Sequence, residues 1–288
     1  MGLLDHYKQF EEMEPEEVSA RLKSEADERR RKALATVDRL DLSATTWPEY
    51  PPSSVVGAIT YMAQRGLHNY MEPAGELRAE IAHRHGLPAE RIVLGDGASQ
   101  LLVSAAQNLI KPGDELITPW PSYQLYPVMA REAGGEVVTV ASHSAKAILA
   151  AVTKKTRIVA LCNPNDPSGE LIGLDELSGL LDTLPDRVAV VLDEALRDFV
   201  TAEPLDATIA LCERHPRLLI FRSFSKAWGL AGLRCGYAIG GPGSEALLSA
   251  IGPPLGIGEL TQAGVLEALR HASGVVAARS ATVAEQRA

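Results

Sequence analysis

The chain has few cysteines and no long apolar run. Its cysteines, Cys162, Cys212 and Cys235, lie far apart in 288 residues and form no CxxC or cysteine/histidine spacing, which argues against a disulfide framework and against a zinc site. No stretch approaches the roughly 18 apolar residues that a membrane-spanning helix needs. The N-terminal residues lack the basic start and apolar segment of a signal peptide. We therefore expect a cytoplasmic protein without a membrane partner.

Positive charge is also scarce. The 28 Lys and Arg residues are outnumbered by 37 Asp and Glu residues, which gives a net charge of -9. Such a chain has no overall positive field to attract nucleic acid or an anionic membrane surface, although local anion sites remain possible. Apolar residues make up an ordinary 46%, enough for a sizeable core. We expect a globular protein with no nucleic-acid partner.

Helix and strand patterns alternate along most of the chain. Residues 16–40 predict a solvated helix, a proline-rich loop follows, and Val55 to Arg65 predict a second helix. Beyond Glu76 helical segments alternate with apolar runs of strand length, which favours an α/β fold with a largely parallel sheet sandwiched by helices. The predicted strands are marked by RIVL, ELITP, EVVTV, RIVALC, VAVVL, RLLIF and CGYAIG. Ligands bind beyond the carboxyl ends of the strands in such sheets, so the segments after each strand carry the functional prediction.

The segment after RIVL is GDGASQLL. Gly97 and Ala98 let the backbone approach an anion, and Ser99 could cap the following helix, whose first N–H groups suit a phosphate. A glycine before a helix is also common where no ligand binds. The pattern therefore leaves a phosphate site and a plain helix start both open.

Two further strand ends carry side chains of interest. In WPSYQLY, Trp120 and Tyr123 could stack on a flat cofactor, although packing against the core or rim is the more common use of such rings. The loop NPNDPSG is either a rigid platform that presents polar side chains at fixed positions or a simple connecting turn. Both segments are predicted to lie at the same edge of the sheet.

Two carboxylates, Asp193 and Glu194, end the apolar strand VAVVL. A carboxylate at the end of so apolar a strand needs a partner. One function is to pair with the protonated pyridine nitrogen of an electron-sink cofactor. A buried structural ion pair is the alternative, and the residue pattern favours neither.

The stretch SFSKAWGLAGLR places Lys226 between small hydroxyl residues and an apolar, glycine-containing run. Partial desolvation there would favour the neutral, nucleophilic amine that forms a Schiff base, although a lysine that snorkels from a buried strand is the simpler explanation. The flanking Ser223 and Ser225, with Arg234 further on, suit a phosphate. Taken together, the strand-end segments describe a pyridoxal-phosphate site with a phosphate cup, a stacking ring, an acid for the ring nitrogen and a Schiff-base lysine.

On these residues the chain resembles the fold-type I pyridoxal-phosphate enzymes of the aspartate aminotransferase superfamily, and within it the histidinol-phosphate aminotransferase-like branch. The likeness runs from about Asp41 to the C-terminal end and is most specific in SFSKAWGLAGLRCGY. It implies that Lys226 binds pyridoxal 5'-phosphate and moves the substrate proton, and that Asp193 pairs with the ring nitrogen. The cofactor-binding residues that it implies are Tyr70, Gly97, Ala98, Ser99, Tyr123, Asp166, Asp193, Ser223, Ser225, Lys226 and Arg234.

The resemblance also implies a reaction and an assembly. The expected reaction moves an amino group between an amino acid or amino-alcohol phosphate and a 2-keto acid. A pyridoxal-phosphate-dependent decarboxylase of an amino-acid phosphate is the first alternative, and a cofactor-binding homologue without turnover is the second. Tyr70 is similar to the tyrosine that family members lend to the phosphate site of a neighbouring subunit, which implies a homodimer with shared active sites.

Three departures from the family pattern stand out. Asp166 takes the place of an asparagine, and Leu196 the place of a tyrosine, that contact the cofactor's 3' oxygen in family members. An ionised Asp166 would repel a phenolate there, so we expect a raised pKa for the Schiff-base nitrogen. Family members also continue beyond the segment RSATVAEQRA with residues that carry the arginine for the substrate α-carboxylate.

These features give an expected domain organisation. Residues 1–50 are predicted to form an N-terminal helical arm and loop, residues 51–250 the cofactor-binding large domain, and residues 251–288 the helical start of a truncated C-terminal domain. Trp47 and Tyr50 could either line the mouth of the pocket or pack the arm against the sheet.

Overall fold

The computed structural model describes residues 14–35, 45–68 and 74–287. The chain divides into two units, Met1–Thr45 and Thr46–Ala288. In the first unit, helix α1 spans Pro15–Ala35, as the sequence predicts, and carries exposed ion pairs one turn apart. Residues 36–40 of the predicted helix lie outside the described part. The expected boundary near residue 250 stays a prediction.

The second unit is built around a sheet of seven strands with the order β1-β7-β6-β5-β4-β2-β3. Within the described residues, β7 is antiparallel to both of its neighbours and the other pairs are parallel, which confirms a largely parallel sheet. The reversal of β7 has no signature in its short apolar sequence. The strands are β1 Ile92–Gly95, β2 Glu115–Pro119, β3 Glu136–Val140, β4 Thr156–Cys162, β5 Ala189–Asp193, β6 Leu218–Ser223 and β7 Gly236–Gly240.

Helices cover both faces of the sheet, and none of those described is long and apolar enough to cross a membrane. They are α2 Ser53–Gly66, α3 Gly75–Arg84, α4 Ala98–Leu109, α5 Leu125–Glu132, α6 Ala145–Ala150, α7 Leu174–Thr183, α8 Glu245–Ile251, α9 Glu259–His271 and α10 Ser273–Arg287. Short 3-10 turns occur at Ala89–Arg91, Arg197–Phe199, Ile209–Glu213 and Ala231–Leu233. The C-terminal segment, predicted to be helical, forms α9 and α10.

Two apolar clusters form the core, one on each face of the sheet. Along β4, Ile158 and Ala160 belong to the cluster under α4, α5 and α8, whereas Val159 and Leu161 belong to the cluster under α3, α7, α9 and α10. This alternation follows from the two-residue period of a strand. Because both faces are covered, the strands are apolar at consecutive positions rather than at every second one.

The register of the sheet brings the carboxyl ends of the central strands together. Cys162 at the end of β4 pairs with Asp193 at the end of β5, and Asp193 pairs in turn with Phe221 of β6. Ser223, the last residue of β6, pairs with Gly236, the first residue of the reversed β7. The segments that follow these strands therefore meet at one edge of the sheet.

Candidate active site

A cavity of about 200 Å3 lies at the carboxyl ends of the strands. All the cofactor-binding residues expected from the sequence line it, apart from Gly97, which directly precedes the lining residue Ala98, and Tyr70, which lies outside the described residues. The lining residues are Thr46, Ala98, Ser99, Leu102, Tyr123, Cys162, Asp166, Asp193, Ala195, Leu196, Ser223, Ser225, Lys226, Ala231 and Arg234.

One end of the cavity is suited to an anion. Arg234 donates from Nη2 to the Ser99 hydroxyl at 3.2 Å and from Nη1 to the Ser225 hydroxyl at 3.5 Å. The guanidinium lies so close to Gly97 that a Cβ atom there would stand 2.3 Å from Nη2, and Gly97 has a φ of 83°. Only glycine meets both conditions without strain. The first turn of α4, which begins at Ala98, adds N–H groups that no carbonyl of its own helix can accept.

The backbone of Arg234 contributes to this arrangement. Its φ of 48° is left-handed, a conformation that is uncommon for a residue with a side chain. The guanidinium also donates to the Ala231 carbonyl at 3.1 Å, which fixes it against the preceding 3-10 turn. A guanidinium, two hydroxyls and a helix N-terminus are together the donors that hold a phosphate in proteins.

Lys226 lies on the turn that follows β6. The turn begins with a hydrogen bond in which the Ser225 N–H donates to the Ser223 hydroxyl at 3.0 Å. The Lys226 ammonium lies 4.0 Å from the Asp166 carboxylate, and the two side chains are only 19% and 23% exposed. The amine therefore points into the cavity from a half-buried position beside a negative charge.

Asp193 is buried at the floor of the cavity. It accepts a hydrogen bond from the Tyr126 hydroxyl at 3.1 Å and another from the Ala195 N–H at 3.0 Å. Burial raises the pKa of Asp193 to about 6, while the two hydrogen bonds and the charge of Lys226 favour the ionised form. A cation placed against this carboxylate would hold it ionised at neutral pH. The site therefore fits a protonated ring nitrogen.

Glu194, the next residue, faces away from the cavity into a buried ion pair. It accepts from Arg222 Nε at 2.9 Å and from the Thr208 hydroxyl at 2.7 Å. Neighbouring strand residues point to opposite faces, which separates the two carboxylates. The sequence left a functional and a structural explanation open for this pair. Glu194 forms a buried structural ion pair, whereas Asp193 lines the cavity.

Two side chains beside Asp193 were not singled out as site residues from the sequence, namely the buried Tyr126 and the lining residue Cys162. Tyr126 lies three residues after Tyr123, and the two rings pack edge to face with centroids 5.7 Å apart. Cys162 donates to the Pro164 carbonyl at 3.2 Å, and burial raises the pKa of its thiol, so the sulfur is neutral. The spacing of the two tyrosines on α5 and its N-terminal turn is the signal that could have identified Tyr126.

The loop NPNDPSG is a platform with fixed side chains rather than a simple turn. Asn163 exchanges two hydrogen bonds with the backbone of Ile172, at 3.0 and 2.8 Å. Asn165 donates to the Pro121 carbonyl at 3.1 Å and accepts from the Ser122 hydroxyl at 2.7 Å, which ties the loop to the segment after β2. Asp166, which directly follows Asn165, is thus presented to the cavity.

The aromatic residues outside the floor have different positions. Trp47 stacks against Phe199, with ring centroids 6.3 Å apart, and Tyr50 is 95% exposed. Trp120 is 40% exposed, and it is not one of the described residues that line the cavity. Thr46, which the sequence did not suggest, is the residue of this N-terminal segment that lines the cavity.

The chain is similar in sequence and in fold to known proteins. Residues 38–288 match the family model for aminotransferase class I and II. An aromatic amino acid aminotransferase of Corynebacterium efficiens is 34% identical over 86% of this chain and 75% of its own length. Histidinol-phosphate aminotransferase 2 of Ralstonia nicotianae is 38% identical over 76% of this chain and 59% of its own length.

Solved structures agree with these sequence matches. Histidinol-phosphate aminotransferase of Sinorhizobium meliloti, in complex with pyridoxal-5'-phosphate, superposes with a TM-score of 0.76 and 26% identity, over 85% of this chain and 67% of that one. L-threonine-O-3-phosphate decarboxylase of Porphyromonas gingivalis superposes with a TM-score of 0.71 and 26% identity, over 81% and 70%.

Proposed function

This chain belongs to the aminotransferase class I and II family and is an enzyme of amino-group transfer, and on that premise we propose that it works with pyridoxal 5'-phosphate bound at Lys226. The observation that supports the proposal is the meeting of three groups in one cavity: the Lys226 amine, the buried Asp193 carboxylate and the Arg234 guanidinium beside Ser99. These are the groups that a Schiff base, a pyridine nitrogen and a phosphate require.

Each group has a distinct task in this proposal. Arg234, Ser99, Ser225 and the first N–H groups of α4 bind the phosphate. Asp193, held by Tyr126 and the Ala195 N–H, keeps a proton on the ring nitrogen. The cofactor supplies an electron sink that makes the Cα–H bond of an amino acid acidic. The Lys226 amine would hold the cofactor and would take and return the substrate proton, and its turn keeps this amine inside the cavity.

The cavity residues suit the phosphate and the ring nitrogen of the cofactor, but they depart from the family pattern at its 3' oxygen. Asp166 lies beside the Lys226 ammonium at 4.0 Å, and the Leu196 side chain lines the cavity without a hydrogen-bonding group. A carboxylate in this place stabilises a positive charge on the lysine nitrogen. We therefore propose that the Schiff-base nitrogen keeps its proton to higher pH than it would beside an asparagine.

The proposed substrates are a small amino donor, either an amino acid or an amino-alcohol phosphate, and a 2-keto acid. The named relatives act on aromatic amino acids and on histidinol phosphate, which are donors of these two kinds. We also propose a homodimer with shared sites, a cytoplasmic location and a role for Tyr70 across the subunit interface, all of which rest on the family resemblance. Light scattering of the purified protein measures the oligomeric state.

An absorbance experiment tests the function. The purified protein is loaded with pyridoxal phosphate and mixed with aromatic amino acids or histidinol phosphate, while the visible band and the keto product are followed. We expect one donor to bleach the band and yield its keto product. Lys226→Arg keeps the charge but cannot form the same Schiff base, so this variant should lose the visible band. Turnover that persists in Lys226→Arg contradicts the assignment.

A decarboxylase is the second candidate, because the threonine-phosphate decarboxylase superposes with a TM-score of 0.71, close to the 0.76 of the histidinol-phosphate aminotransferase. The same mixture distinguishes the two reactions. Carbon dioxide released from an amino-acid phosphate, without formation of pyridoxamine phosphate, would identify a decarboxylase. A band that forms but responds to no donor would identify a cofactor-binding homologue without turnover.

A further inference from the structure

A buried arginine lies just outside the cavity, on the C-terminal helix α10. Arg279 is 4% exposed and contacts two separate segments of the active-site region. Its Nη1 donates to the Ala227 carbonyl at 2.9 Å, and its Nη2 lies 3.7 Å from the Glu49 carboxylate. The guanidinium carbon also stands 5.0 Å from the centre of the Trp47 ring. One side chain thus connects the N-terminal rim of the cavity with the lysine turn.

The contact with the lysine turn is close. Ala227 directly follows Lys226, and the turn closes with a hydrogen bond from the Gly229 N–H to the Lys226 carbonyl at 3.0 Å. A Cβ atom at Gly229 would stand 2.7 Å from Arg279 Nη1, and Gly229 has a φ of 69°. The turn therefore wraps directly onto the guanidinium, in a conformation that favours glycine.

The contact on the other side holds the rim of the cavity. Trp47 and Glu49 are joined by a hydrogen bond from the indole N–H at 3.0 Å, and both face Arg279. Thr46, the preceding residue, lines the cavity. A guanidinium retains its charge when buried and binds both carboxylates and aromatic faces, which makes arginine suited to this position.

The incomplete pairing of Arg279 argues against a purely structural role. Its Nε is buried and has no hydrogen-bond partner among the described residues, and its carboxylate partner, Glu49, is 70% exposed. A charge buried only for stability would be costly with so few partners. By contrast, the buried Arg222 has two carboxylates within 3 Å, which are those of Glu194 and Asp206.

We propose that Arg279 is a positioning residue that couples the Thr46–Glu49 rim segment to the Lys226 turn, so that the wall and the floor of the cavity are held in one geometry. The consequence for the reaction rests on the proposed function: a loosened rim weakens binding of the amino donor, and a loosened turn weakens retention of the cofactor. The coupling itself needs neither ligand and is measured separately.

Amide hydrogen exchange of the full chain tests the coupling. Glu49→Gln and Trp47→Leu change the rim only, and the readout is the exchange rate in the turn at residues 226–230. We expect exchange in this turn about two- to fivefold faster in each variant, the factor that corresponds to one lost ion-pair or cation–π contact at a partly exposed position. Arg279→Lys should speed exchange in both segments and should remove the response of the turn to Glu49→Gln.

A matched control is Arg270→Met on α9. Arg270 is 44% exposed and pairs with the exposed Glu76 at 2.7 Å, so its loss should leave exchange in both segments unchanged. The proposal is overturned if exchange in the turn is unchanged in both Glu49→Gln and Trp47→Leu. It is also overturned if the response of the turn to Glu49→Gln persists in the Arg279→Lys background. A variant that speeds exchange equally throughout the sheet also counts against it, since coupling predicts a local effect.

Kinetics provide the second readout. Glu49→Gln is expected to raise KM for the amino donor several-fold with little change in kcat, whereas Arg279→Lys should also weaken cofactor retention. If no donor reacts with the wild-type protein, the proposed function fails while the exchange result still decides the coupling. If donors react and the KM of Glu49→Gln equals that of the wild type, the effect on the donor is excluded.

Discussion

Asp193 and Asp166 both line the cavity beside Lys226, yet their surroundings differ. Asp193 ends a central strand, is 3% exposed and accepts two hydrogen bonds from fixed groups. Asp166 lies on a loop, its side chain is 23% exposed, and it is paired with the Lys226 ammonium. Desolvation has the largest influence on the pKa of Asp193, whereas Asp166 lies beside an opposite charge. The same functional group thus lies buried at the cavity floor in one place and beside a lysine ammonium in the other.

The largest expected effect that separates the two is on turnover. Asp193→Asn removes the anion that would hold the ring nitrogen protonated, and we expect kcat to fall by roughly a thousandfold, which corresponds to about 4 kcal/mol in the activation barrier. Asp166→Asn should change kcat far less. Single-turnover absorbance measurements with both variants check this contrast, and equal losses in the two variants would contradict it.

The second effect is on stability and runs in the opposite direction. Because burial raises the pKa of Asp193 to about 6 in the cofactor-free protein, the folded state holds its proton more tightly than the unfolded chain does. This carboxyl therefore costs stability as the pH rises through the window from about 4 to about 6.

We accordingly expect Asp193→Asn to be more stable than the wild type above pH 6, by up to about 3 kcal/mol, and to lose that advantage below pH 4. Urea unfolding of the cofactor-free proteins at pH 4 and pH 7 measures the difference. Asp166→Asn is the matched control, and we expect no comparable gain at pH 7. An advantage of Asp193→Asn that is independent of pH would show that burial is not its cause.

A smaller effect concerns the proton on the Schiff base. Asp166→Asn removes the negative charge beside Lys226, so the absorbance titration of the cofactor-loaded protein should shift to lower pH by about one unit. Leu196→Met, which changes the adjacent lining side chain without adding a charge, serves as the control. Coincident titration curves for wild type and Asp166→Asn would refute a role for this carboxylate.

The smallest effect sharpens the description of Asp193. Tyr126→Phe removes one neutral donor to the carboxylate, a loss of about 1 kcal/mol. The pKa of Asp193 in the cofactor-free protein should then rise further, which infrared titration of the carboxyl band can follow. Tyr123→Phe, which keeps the ring packed against Tyr126, should leave that pKa in place. A lowered pKa in Tyr126→Phe would mean that the hydroxyl does not stabilise the anion.

The sequence predicts the fold and the cavity residues to different extents. Strand β2, at Glu115–Pro119, and strand β3, at Glu136–Val140, have the predicted bounds, because unbroken apolar or β-branched runs between turn residues define them locally. Helix α8 at Glu245–Ile251 was not predicted, since a helix of seven residues between two Gly-Pro stretches has too short a pattern to recognise.

The missing site residues share one physical cause. Tyr126 meets Asp193 across 67 residues of chain, and Arg279 meets Ala227 across 52 residues. Neither contact leaves a local pattern, because it depends on how elements pack after the sheet has formed. Lys226 could be predicted for the opposite reason, since its hydroxyl and glycine neighbours lie beside it in sequence. The sequence also could not tell which of the adjacent carboxylates, Asp193 or Glu194, faces the cavity, because that depends on how the sheet is oriented around it.

The reversed strand β7 has a consequence for ligand binding. A Cβ atom at Gly236, the first residue of β7, would stand 2.3 Å from the Ala98 backbone nitrogen, so the start of β7 is pressed against the first turn of α4. The anion-binding end of the cavity is therefore complete only in chains that have the insertion of β7 between β1 and β6, where Ser99 meets Arg234 across 135 residues. A phosphate-bearing ligand would by mass action favour chains in which this insertion is finished, and its retention would report that the last strand is in place.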